Sequence, residues 1–129
     1  MRGVEVMKKI LPAIIVLSLF DSSGAIAQQL QDDANAMMHC YELQGYKYGL
    51  ETCAPAAELV EAVFGKCDAE ERKVRAGFEV KRRLQGNYSP DEVAQYSASM
   101  IRRFREEFRT KIQAQIVDAR VTANKRCNR

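Results

Sequence analysis

Apolar positions recur at helical spacing through most of the chain, and no stretch shows the strict alternation of a half-buried strand. Leu30, Ala34, Met37, Met38 and Tyr41 form one such side, which predicts a first helix from Leu30 to Gln44 with Gly45 as its stop. Asp32 and Asp33 suit its first turn, where carboxylates meet the positive end of the helix dipole. Gly45-Tyr46-Lys47-Tyr48-Gly49 then reads as a short loop. Leu59, Val60, Val63 and Phe64 predict a second helix over Pro55–Phe64, opened by proline and closed at Gly65.

Asp68-Ala69-Glu70-Glu71 has the form of a helix start, an acidic cap with a carboxylate three residues on. The third helix it opens should end near Leu84, with Val74, Phe78, Val80 and Leu84 as its core contacts. Ser89-Pro90-Asp91-Glu92 is the sharpest local signal: a capping serine, proline at the first helical position and a glutamate placed to complete a capping box. Neither glycine nor proline follows Pro90, so a fourth helix should run to about Ala123. Its stripe comprises Val93, Met100, Ile101, Phe104, Phe108, Ile112 and Ile116. At 1.5 Å per residue it spans roughly 51 Å, against a radius of gyration of about 13 Å for a compact 100-residue domain. Such a helix must bend, project or pack on a second copy, so a homodimer through the long C-terminal helix enters as one expectation. The fold class is all-α: a disulfide-stapled bundle of about four helices with a long C-terminal helix.

The region before these helices changes the picture. Lys8-Lys9 precede an apolar run from Ile10 to Phe20, a polar stretch, and Ala25-Ile26-Ala27. That order is the n-region, h-region and small-x-small site of a secretory signal peptide. The run is eleven residues and contains Pro12, short of the roughly 20 apolar residues a spanning helix needs. Residues 1–27 are therefore expected to be a cleaved leader and 28–129 a single helical domain, exported to a bacterial periplasm or secreted. Export places Cys40, Cys53, Cys67 and Cys127 where disulfides form. Their spacing, Cys-x12-Cys-x13-Cys-x59-Cys, is not that of a twin Cys-x9-Cys hairpin. Cys53 and Cys67 lie at opposite ends of the second helix, too far apart to bond. If helices two and three stack end to end along helix four, Cys53 meets Cys127 and Cys40 is left for Cys67; Cys40–Cys53 with Cys67–Cys127 is the rival pairing.

Charge is uneven along the chain. Gln28–Glu71 holds two bases and nine acids, whereas Arg72–Arg129 holds fifteen bases and six acids. The two parts either complement each other in the fold or leave a basic surface for an anionic partner. Arg102, Arg103, Arg105, Arg109 and Lys111 crowd one region of the fourth helix, and rows of arginine suit carboxylate or phosphate recognition. Glu106 and Glu107 stand at i±3 or i±4 from these bases, so a salt-bridged solvated face is the competing reading.

Candidate chemistry is thin. Met37-Met38-His39-Cys40 offers soft metal ligands, but adjacent helical residues point different ways and cannot close one site. Haem attachment through Cys-x-x-Cys-His and thioredoxin-type Cys-x-x-Cys chemistry lack their motifs. Nucleophilic catalysis would rest on His39 alone, and surface acids such as Glu70, Glu71, Glu106 and Glu107 are read as solvated. The expectation is a non-enzymatic protein with no cofactor and no metal: an inhibitor, immunity factor, chaperone or assembly subunit. It would bind another envelope protein through Tyr46, Tyr48, Arg102, Arg105 and Arg109. The alternative is a binder of anionic lipid or polysaccharide using the same basic helix. Nucleic acid is not expected as a target of an exported chain.

Overall fold

In the computed structural model the backbone is described from Arg2 to Cys127 and side chains from Gly24 to Cys127, so the side chains of most of the expected leader lie outside the described residues. Four helices follow in order: α1 (Arg2–Glu51), α2 (Ala56–Lys66), α3 (Asp68–Leu84) and α4 (Pro90–Thr122). Among the described residues there is no strand, and no helix is long and apolar enough to cross a membrane.

α2 and α3 act as one broken rod. Only Cys67 separates them, and the hydrogen-bond ladder runs through it: its N–H donates to Val63 O and its carbonyl accepts from the Glu71 N–H, both at 3.0 Å. The expected acidic cap at Asp68 is therefore not used; Cys67 holds that position without a side-chain cap bond, because the preceding helix already supplies the acceptors. Laid end to end, α2 and α3 run alongside α4, and α1 packs on both. The length that suggested projection or self-association of α4 is thus matched within one chain.

The core lies where the three rods meet, and includes Leu30, Met37, Tyr41, Val60, Val63, Phe64, Val74, Phe78, Ile101, Ile112 and Ile116. Every apolar position expected in α2 is buried. Val80 and Leu84, expected as core contacts of α3, are instead 39% and 63% exposed.

The loop expected at residues 45–49 is the largest correction. α1 runs through both glycines, neither of which adopts a positive φ. A Cβ on Gly49 would sit 2.5 Å from Ile116 O and 2.8 Å from Ala119 Cβ, while one on Gly45 would meet Ile112 Cγ2 at 3.4 Å. The glycines lie four apart on the face toward α4 and admit close backbone approach; they serve packing, not a turn. Ser89 caps α4 as expected, its Oγ accepting from the Glu92 N–H at 3.2 Å. At the other end Asn124 takes a positive φ of 51°, and Lys125 N–H bonds Arg120 O at 2.8 Å. The chain then turns back over the end of α1, a reversal asparagine tolerates better than most residues.

The disulfides are Cys40–Cys67, joining α1 to the α2–α3 joint, and Cys53–Cys127, joining the two ends of the top of the bundle. This is the pairing that end-to-end stacking of helices two and three implies, and it excludes its rival.

Gly49→Ala should destabilise the fold by about 1–3 kcal/mol through overpacking. Gly65→Ala, where a Cβ meets nothing within 4 Å, should stabilise it by up to about 1 kcal/mol through helix propensity. Thermal melts of the two variants beside the parent check the contrast.

Candidate functional site

Glu71 is the most buried charged side chain described, 1% exposed. It lies on the face of α3 shared by Val74 and Phe78, so its carboxylate points into the core. Tyr41 Oη on α1 donates to Glu71 Oε2 at 2.7 Å. Arg105 on α4 closes a fork on the same group, with Nε to Oε2 and Nη2 to Oε1, each 2.7 Å. One carboxylate thus links all three rods, and Arg105, 35% exposed at its side chain, connects the link to solvent. The Tyr41 ring packs edge-on against Phe64 at 5.3 Å, and the Arg105 guanidinium lies 5.1 Å above the same Phe64 ring.

The electrostatics follow from this enclosure. Burial, then the hydrogen bond to Glu71 and the negative charge of that carboxylate, drives the Tyr41 hydroxyl far above the ordinary tyrosine range. The hydrogen bond to Glu71 likewise raises Arg105. Both groups are held in the protonated form that donates to the carboxylate, which suits a fixed structural link.

Other bases are also drawn inward. Arg109 pairs with Glu61 on α2 and lies 3.6 Å from Glu106. Arg120 Nη2 donates to Thr52 O at 3.0 Å and Ala54 O at 2.5 Å, and Lys125 Nζ donates to Leu50 O at 2.7 Å. These cations satisfy carbonyls at and beyond the end of α1, where the helix dipole favours positive charge. The Glu71–Arg105 and Glu61–Arg109 pairs join acids of the first part to bases of the second, so part of the charge asymmetry is complemented within the fold.

The five expected contact residues are divided between α1 and α4. Tyr46 and Tyr48 stand on helix α1, not on a loop, and Tyr48 packs against the core. Arg102 is exposed; Arg105 is committed to Glu71, and Arg109 to Glu61 and Glu106. The soft-ligand run also separates, with Met37 fully buried, His39 exposed and Cys40 in a disulfide. Cys40, Cys67 and Glu70 bring possible ligand atoms within 4.8 Å of one another, but both sulfurs are spent on each other. Glu71, read from sequence as a solvated acid, was the residue missed. Its signal was the spacing: it stands three and seven residues before Val74 and Phe78, a charge on the apolar stripe.

No protein-family model, no curated protein and no solved structure matches this chain.

Removing Arg105 would strand a buried carboxylate. Arg105→Ala should cost about 2–3 kcal/mol, below the range for a fully buried pair because Arg105 is partly exposed. Tyr41→Phe should cost about 1–2 kcal/mol by removing one bond to the carboxylate. A raised Tyr41 pKa in the folded state contributes stability that is complete below the ordinary tyrosine value of about 10 and fades as pH rises above it. Denaturant unfolding between neutral and alkaline pH should show this decline, and Tyr41→Phe should flatten it.

Proposed function

We propose that this chain is a small exported, non-enzymatic protein-interaction module of the bacterial envelope, acting as an inhibitor, immunity factor, chaperone or assembly subunit. One observation carries the reading: the side chains best suited to chemistry are committed to holding helices together. Tyr41, Glu71 and Arg105 satisfy one another, and all four cysteines are paired. What such a bundle offers a partner is a rigid, stapled surface. Two cross-links in a chain of this size each contribute on the order of 2–4 kcal/mol.

Export is supported by the leader pattern and by two formed disulfides. Leu30, the first core residue among the described residues, lies just past the expected cleavage after Ala27, so the processed chain would keep the described core. Of the expected contact residues, Tyr46 and Arg102 retain the most freedom to meet a partner, on α1 and α4 respectively.

A second reading, binding to anionic lipid or polysaccharide, draws support from bases exposed on two helices, including Lys81 on α3 and Arg102 and Arg103 on α4. Salt separates the two. Tagged, oxidised protein is used for pull-down from its own cells and washed at about 0.15 M and then about 0.5 M salt, where screening shortens the reach of surface charge. One stoichiometric protein surviving the stronger wash is the expected outcome. Loss of all bound material, or recovery of lipid and polysaccharide alone, would favour the second reading.

A further inference from the structure

The groove between α1 and α3 is open to solvent along its length. Two cavities of about 320 and 360 Å³ line it, and both are walled in part by Asp33 and Lys73. The floor is shallow because the residues are small: Ala36 on α1, and Ala76 and Gly77 on α3. Gly77 sits so close to α1 that a Cβ there would meet Leu30 Cδ1 at 2.8 Å. Two apolar side chains that border it are exposed, Leu43 at 55% and Val80 at 39%. Val80 carries the helical spacing of a core residue, yet among the described residues it stays exposed.

We propose that a second copy of this chain covers the groove, forming a two-fold dimer in which α1 and α3 of each copy build a four-helix bundle. Charge selects this arrangement, and helix direction permits it. Leu30 lies against Gly77 while Cys40 bonds Cys67, so α1 and α3 run antiparallel. A two-fold axis parallel to the helices sets α1 of one copy opposite α3 of the other at the same height. Every neighbouring pair in the resulting bundle is then antiparallel, the arrangement of up-down-up-down bundles.

Asp33 and Lys73 share one level, since both border both cavities. The same axis therefore brings Asp33 of each copy to Lys73 of the other, giving two opposite-charge contacts. Lys73 forms no ion pair among the described residues, and Asp33 only accepts from its neighbour Gln29 at 3.1 Å. An axis perpendicular to the helices at that level would instead set α1 on α1 and acid on acid. This assembly lies beyond the interaction role proposed above and does not depend on any envelope partner. It also moves the expected self-association from α4 to the opposite side of the bundle.

Over Gln28–Leu43 of α1 the contact would be about 24 Å long and two helices wide, or about 450 Å² per copy. That is the size of weak, reversible interfaces, so the dimer should form in the micromolar range. Sedimentation velocity on oxidised protein purified from its own cells, from about 5 to about 500 μM, reads it directly.

The expected result is a concentration-dependent monomer–dimer equilibrium. Asp33→Lys or Lys73→Asp alone should weaken it at least about tenfold by opposing like charges, and the double swap should restore it to within about threefold. Val80→Glu should weaken dimerisation, whereas Val117→Glu, on α4 beside Ala56 and Ala57, should not. All these positions are solvent-exposed or half-buried, and a melting curve for each variant confirms that it folds. A monomer at every concentration would overturn the proposal. So would single swaps without effect, a double swap that fails to restore association, or a dimer lost in Val117→Glu but kept in Val80→Glu.

Discussion

A single carboxylate holds the three rods of this protein in register. Glu71 is buried at the joint between α2 and α3, and its two oxygens are shared by a tyrosine on α1 and an arginine on α4. A charge in such a place is costly unless its partners stay put, since desolvation alone amounts to several kcal/mol. The rods must therefore settle where Tyr41 and Arg105 both reach Glu71. A slide of one helical turn, about 5.4 Å, would leave the carboxylate unpaired. Packing of aliphatic side chains is far more tolerant of such a slide than this geometry is.

The remaining devices reinforce that register from either side. Cys40–Cys67 ties α1 to the α2–α3 joint within a turn of Glu71 along the chain. Above it, Gly45 and Gly49 let α1 lie close against α4, and Arg120, Lys125 and Cys53–Cys127 fasten the end of α1. Cross-links, a buried ion pair and a glycine contact thus recur along the bundle axis. A small bundle without a large core is stabilised by such staples.

Much of the fold was legible in the sequence, for identifiable reasons. Ser89-Pro90 marked the start of α4 because capping chemistry is local and needs no tertiary information. The apolar residues of α2 were placed correctly because a short amphipathic helix has one face to bury. The glycines at 45 and 49 misled because glycine signals a turn and a close helix contact equally well, and only the opposing Ile116 and Ala119 decide between them. Val80 and Leu84 misled in the opposite sense, their spacing promising a core that the described residues do not supply. Of the candidate site, Arg105 was singled out by the crowding of arginines, but its partner was not. A glutamate surrounded in sequence by Asp68, Glu70 and Arg72 looks solvated until the helical phase of Val74 and Phe78 is set against it.

The role given to Glu71 makes Tyr41 and Arg105 partners although they sit on different helices, because both bond that carboxylate. A double-mutant cycle with Tyr41→Phe, Arg105→Met and both together, followed by denaturant unfolding at neutral pH, measures their coupling. A shared, register-setting carboxylate predicts a coupling energy of about 1–2 kcal/mol, within the range for residues of one hydrogen-bond network. Additivity within about 0.3 kcal/mol would contradict it, because that is the behaviour of distant, independent sites.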